Sequence, residues 1–191
     1  MNTKGSNRSV QRTKKLLKNA LSELLLKKTL HEISVRELCE HADLNRGTFY
    51  LHYKDIYDLL EQMEDDLLAD VSAILSSHET KELKGKPFPL LKDLFLMLEK
   101  NEDFCRVLIR EMPESRFMDK LQHLARERCF RDWTILFAKK DAEHLEIYYS
   151  YFLSGFIGII KNWLLQENRL PPEKIAALSE DFILNGMNAL R

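Results

Sequence analysis

Glycine and proline are scarce in this chain, six and five among 191 residues. A many-stranded sheet protein needs tight turns, which those two residues build, so their scarcity argues against that class and favours long helices. Cysteine is scarcer still. Cys39, Cys105 and Cys129 are odd in number, far apart, and without a CxxC pair or a His pair at ligand spacing. A disulfide framework and a zinc site are therefore not indicated, and buried thiols in a reducing cytoplasm are expected. No metal or other cofactor is called for. Long apolar runs are missing too: the segment YYSYFLSGFIGII, from Tyr148 to Ile160, has 13 residues, short of the ~18 that cross a bilayer. The stretch before Leu16 has no apolar core of the kind a secretory signal needs. The expectation is a cytoplasmic protein that does not enter a membrane.

What is present is a chain with 45% hydrophobic and 31% charged residues, ordinary for a helix-rich globular protein and too apolar for disorder. Its net charge of −1 hides a division. Residues 1–57 hold 11 Lys and Arg against 6 Asp and Glu, leaving 18 against 24 beyond, so the front is +5 and the remainder −6. A basic head on an acidic body suits a polyanion-binding module carried by something that need not touch the polyanion.

Along residues 10–28, Leu17, Leu21, Leu24 and Leu25 recur at helical spacing behind a basic entry of Arg12, Lys14, Lys15 and Lys18. Ser34 and Glu37 then predict a reciprocal capping box at the start of a second helix. Asn45 is a good N-cap for a third, which leaves only a three- or four-residue turn between the two. Asp43 stands where that turn needs a left-handed residue. A helix-turn-helix is the compact solution, with Leu38, Leu44 and Phe49 meeting beneath the turn. A fourth helix is expected from Asp55 toward Leu75, then a boundary between modules or a loop across residues 76–89, which hold Gly85, Pro87 and Pro89. Five more helices are expected, at about residues 90–100, 103–110, 114–139, 142–167 and 172–190.

The segment RGTFYLHY, Arg46 to Tyr53, carries the most specific signal. Together with the capped helix and short turn before it, it resembles the DNA-binding signature of the TetR/AcrR family of bacterial transcriptional regulators. The resemblance implies an all-α protein: a three-helix DNA-binding module, residues 1–56, and a helical regulatory and dimerisation body, residues 57–191. It also implies that Asn45 to His52 enter the major groove of double-stranded DNA while flanking residues hold phosphates. Physical chemistry points the same way. Arg46 can donate in a bidentate manner to guanine, and Thr48 and Leu51 can meet a thymine methyl group. Gly47 lets the helix backbone approach closely, at about 1 kcal/mol of helix stability relative to Ala. Tyr50, His52, Lys54 and the Ser34 hydroxyl are candidates for phosphate oxygens. Val35 and Arg36, on the first turn of the second helix, complete the candidate surface, and Arg8, Arg12, Lys14 and Lys15 could extend it as an arm. Two departures from the family pattern are Asp43, where Gly is common in the turn, and Ile56, where Lys is common.

In the body, Ser150, Ser154 and Gly158 form a small-residue stripe beside Tyr151, Ile157 and Trp163, and Ile175, Leu178, Phe182 and Met187 give the last helix an apolar face. These two helices are the expected homodimer interface, against the simpler reading that both stripes pack inside one subunit. Two recognition helices about 34 to 36 Å apart would then call for a palindromic operator. Phe104, Met118, His123, Trp133, Phe137, Tyr148 and Phe152 either line a pocket for a small apolar or aromatic effector or simply fill the core. The leading expectation is a ligand-released repressor. The alternative is a co-regulator of the same fold acting through protein contacts with weakened DNA binding. An enzyme is not expected: His123 and His144 have acidic neighbours, but Asp119 and Glu127 four residues either side of His123 are the usual pattern of a solvated face. No nucleophile and base, phosphate loop or metal cluster can be assembled.

Overall fold

The computed structural model describes residues 3–78, 86–112, 115–136 and 142–187. These form α1 (Thr3–Leu25), a 3-10 turn (Leu30–Glu32), α2 (Val35–His41), α3 (Arg46–Tyr50) and α4 (Ile56–Ser77), followed by α5 (Phe88–Lys100), α6 (Glu102–Glu111), α7 (Arg116–Leu136), α8 (Ala142–Leu165) and α9 (Pro172–Met187). No strand occurs among the described residues. The helix expected from residue 10 already begins at Thr3. Pro89 lies in the first turn of α5 rather than in the preceding loop, because a missing N–H is harmless there.

The apolar periodicity of α1 does what it predicts. Leu17, Leu21, Leu24 and Leu25 are all buried, meeting Leu38 and Cys39 of α2 and Phe49 of α3. Each such leucine contributes roughly 1.5–3 kcal/mol of burial. Leu59, Met63, Leu67 and Val71, along one side of α4, carry the same core into the body, where Phe95, Phe104, Val107 and Leu108 join it. Within the body, α9 packs along α5, α8 closes against α6, α7 and α9, and α7 also touches α4. The head is therefore tied to the body covalently through α4 and also by packing of α1 on α6. Lys18 of α1 also donates to the carboxylate of Asp66 on α4.

Trp163, expected at a subunit interface, is instead core, with 2% of its surface exposed. Its ring meets Phe95 edge-on at 5.1 Å, its indole N–H donates to the Leu170 carbonyl at 2.7 Å, and the Arg169 guanidinium lies 4.7 Å above it. With face, edge and N–H all partnered inside one chain, nothing of it is left for a second copy.

Candidate nucleic-acid interface

The interface is built from the caps outward. Ser34 accepts a hydrogen bond from the Glu37 N–H at 3.2 Å, starting α2 as expected. The return half of the box is absent: Glu37 turns to Lys28, 2.5 Å away, because a cation from the end of α1 is within reach. The bond that Ser34 lacks is present one turn earlier, where Glu32 accepts from both the N–H and the hydroxyl of Thr29. His41 meets Glu23 at 2.7 Å, fastening the far end of α2 to α1.

The turn after α2 closes as a Schellman motif. The Leu44 N–H donates to the Cys39 carbonyl at 2.9 Å and the Asp43 N–H to the Glu40 carbonyl at 3.3 Å, which requires a left-handed residue between helix and exit. Asp43 supplies it, with φ 52°. Asn45 then caps α3, its side-chain oxygen accepting from the Gly47 N–H at 2.8 Å. That bond takes one of the oxygen's two lone pairs and fixes the direction of the side chain.

Five residues make a helix too short to stand alone, so α3 depends on its seat. Phe49 is fully buried, with the Tyr50 ring edge-on at 5.3 Å and Tyr53 tilted at 5.7 Å. Around that anchor the outer face is open. Asn45, Arg46, Gly47, Tyr50, Leu51 and Lys54 are exposed, and Thr48 and His52 are half-buried. Leu51, the C-cap of α3, is 79% exposed. Ser34 and Arg36 are exposed beside this face, with Arg36 paired to Glu40 at 2.7 Å, while Val35 is half-buried and packs partly against the core. A Cβ built on Gly47 would meet only the Asn45 side-chain oxygen, at 3.4 Å. Nothing inside the fold demands glycine at this position.

The far edge is set by the start of α4. Asp55 accepts from the Asp58 N–H at 2.8 Å, while Asp58 accepts from the Lys54 N–H at 2.8 Å and from the Gln62 amide at 3.0 Å. The Lys54 N–H, and after it the Gln62 amide, hold the Asp58 carboxyl below its ordinary range. Ile56 is buried. The usual lysine of that position is thus replaced by a core contact, and Lys54 is the exposed cation there. Behind the face, Tyr53 is buried, its hydroxyl without a hydrogen-bond partner among the described residues, and burial, with Asp66 and Asp58 nearby, pushes its pKa up to about 12. Its ring packs instead under the Lys14 ammonium, 5.7 Å from the centroid. The Cys39 thiol below is pushed up by burial, partly offset by the Arg46 charge.

The body residues divide. Ser150, Ser154 and Gly158 are exposed on α8 together with Ile147 and Tyr151, and among the described residues a Cβ at Gly155 or Gly158 would meet nothing within 4 Å. Leu178 and Phe182 are exposed on α9, Phe182 by 67%, and Ile175 is half-buried. The expected effector residues are not gathered into one pocket. Phe104 is buried in the main core and Met118 packs against it, whereas Tyr148 and Phe152 belong to a separate small cluster around Leu145 and Tyr149. His123 is not a pocket residue: it stands on the outer face of α7, 3.3 Å from Glu127 one turn away, where both side chains are solvated. The Trp133 side chain and Phe137 lie outside the described residues. A cleft of about 760 Å³ does open between α1, α4 and the α5–α6 junction, but Lys14, Lys18, Asp66, Asp70 and Asn101 make it polar.

Among the described residues no group of His, Cys, Asp and Glu could hold a metal, and no helix is long and apolar enough to cross a membrane. Burial raises the Cys105 and Cys129 thiols to about 12, so neither offers a thiolate near neutral pH.

Comparison with known proteins adds a separate line. The model described as bacterial regulatory proteins, tetR family, matches residues 18–63, and the model of a transcriptional regulator C-terminal region matches residues 85–185. Among solved structures, the dihydroxyacetone kinase operon activator DhaS is similar with TM-score 0.64 and 17% identity, over 93% of this chain and 97% of that one. A TetR transcriptional regulator from Streptococcus agalactiae gives 0.58 and 21%, over 94% and 99%. The fatty acid degradation regulator FadR from Bacillus halodurans gives 0.63 and 11%, over 92% and 96%. Such identities speak for a shared fold alone. No match was found among curated proteins.

Proposed function

The chain belongs to the tetR family of bacterial regulatory proteins, and from that premise we propose that it acts as a homodimeric repressor of a palindromic operator. That it is a DNA-binding transcriptional regulator rather than an enzyme follows from the family. The observation that carries the finer reading is the outer face of α3. Arg46, Tyr50 and Leu51 project from a helix whose opposite side is locked by Phe49, and a single face of this width fits one major groove. Arg46 reads guanine, Thr48 and Leu51 meet thymine methyl groups, and Ser34, Tyr50, His52 and Lys54 hold phosphates and set the register.

Two copies meet through α8 and α9. Ile147, Ser150, Tyr151, Ser154 and Gly158 fall on one side of α8 at spacings of three and four residues, and Leu178 and Phe182 do so on α9, so each helix offers a partner large apolar side chains, with small residues between them on α8. A small apolar or aromatic effector bound in the body releases the operator. A differential affinity of about 1–3 kcal/mol between the two arrangements shifts occupancy roughly 5- to 150-fold.

Fluorescence anisotropy tests this, using DNA from upstream of the protein's own gene, a scrambled control and a salt series. Specific binding is expected about 1000-fold tighter than the control. Arg46→Ala is expected to remove about 1–3 kcal/mol of that preference while leaving the protein folded. Equal, salt-driven binding to both DNAs would sink the operator reading. It would favour a co-regulator working through protein contacts, for which the buried Ile56 and the acidic Asp43 are the motivating features.

A further inference from the structure

An α-helix leaves its last four carbonyls without donors of its own. At the end of α4 the Ser77 hydroxyl donates back to the Ile74 carbonyl at 2.9 Å. The Leu75 carbonyl is satisfied from elsewhere, by a guanidinium nitrogen, Nη1, of Arg128 on α7. Nη2 of the same side chain donates to the carbonyl of the cap residue His78 at 2.5 Å, and its Nε donates to Asp132 at 2.6 Å. Arg128 is only 6% exposed. On the other side, the His78 ring lies 2.8 Å from the Asp93 carboxylate of α5. The end of α4 is thus gripped from α7 and from α5 at once.

Burying a charge costs several kcal/mol before its partners are counted, and an apolar side chain of similar size often serves stability as well or better. What an apolar side chain lacks is a fixed fork of donors, which accepts only one placing of Leu75, His78 and Asp132. We propose that Arg128 is a positioning residue that clamps the C-terminal end of α4 and so sets the direction in which this helix carries the DNA-reading head. At 1.5 Å per residue the 22 residues of α4 make a rod of about 33 Å. A tilt of about 10° at the clamp moves the head by about 6 Å, more than one base-pair step of ~3.4 Å. The functional consequence rests on the dimeric operator reading above; the clamp itself does not.

Hydrogen exchange of the full-length protein comes first because it needs no DNA. In Arg128→Met the amides of the last two turns of α4 are expected to exchange about ten-fold faster, with α2 and α3 unchanged. The second measurement varies operator half-site spacing. Inserting one base pair should weaken wild-type binding about ten-fold but the variant by less than about two-fold, since a step of ~3.4 Å lies within the reach of an unclamped head. Arg128→Lys, which keeps the charge and loses the fork, should fall between them and carries the comparison if the methionine variant does not fold. A folded variant with wild-type α4 protection or with undiminished spacing preference overturns the clamp. A wild type indifferent to palindrome spacing would instead defeat the dimer reading, with exchange still deciding the clamp.

Discussion

The head and the α8–α9 face of the body differ in what they leave outside. Around the buried Phe49, the open surface on and just beyond α3 consists of Arg46, Tyr50, Leu51 and Lys54, with Thr48 and His52 half-buried among them, and all but Leu51 carry donors or acceptors in fixed directions. On α8 and α9 the open surface is Ile147, Tyr151, Leu178 and Phe182, with serines and glycines between them. The face of α3 is seated on the main core, and that of α8 partly on it and partly on the small cluster around Leu145 and Tyr149. The first suits a partner that presents polar edges in a set order, and the second one that brings apolar surface of its own. What an element recognises is decided by the chemistry left over after its packing is complete.

The most severe way to break this comparison is to remove the seat. Phe49→Ala should destabilise the protein by about 3–5 kcal/mol in thermal or denaturant unfolding, and operator binding should vanish although no reading residue has changed. Next is the apolar face. Phe182→Asp should weaken self-association by about 2 kcal/mol or more, seen in light scattering as a shift from dimer to monomer with the helical circular dichroism unchanged; a mass that does not move would remove α9 from the interface. A milder change sharpens the head alone. Asp43→Gly relieves a left-handed aspartate and should raise stability by about 1 kcal/mol, while tighter DNA binding follows from the lost negative charge. The smallest effect is also the most discriminating. Gly47→Ala should stabilise α3 by about 0.5–1 kcal/mol, since the fold leaves room for the methyl group, yet weaken operator binding. If affinity holds, the backbone of α3 does not lie close to the DNA.

Local chemistry was legible in the sequence. The caps at Ser34 and Asn45, the left-handed Asp43 and the burial of Leu38 and Phe49 all depend on residues a few positions apart, and they stand where spacing predicts. Long-range pairing was not. Glu37 leaves its expected box for Lys28, and Arg128 with Asp132 four residues on looks like a solvated helix pair until α4 is laid across it. Periodicity also cannot say whose surface an apolar stripe will meet. Trp163 and Phe182 read alike as interface residues, but one is sealed by Phe95 and the Leu170 carbonyl and the other stands open. The effector residues were least legible, because aromatic content fixes neither where a helix turns its side chains nor whether they converge.

The core that starts at Leu17 runs through Phe49, Leu59 and Phe95 to Ala176 without a break at residue 56. Cutting the chain there would strip α1 of its packing on α6 and expose the inner side of α4. The described helices are therefore expected to melt in one cooperative transition, the reading face losing order together with the body, which coincident circular-dichroism and fluorescence melting curves would check. Any small molecule that binds the folded body raises the temperature of that shared transition, so a library can be screened by melting curves alone, before a single base of the operator is known.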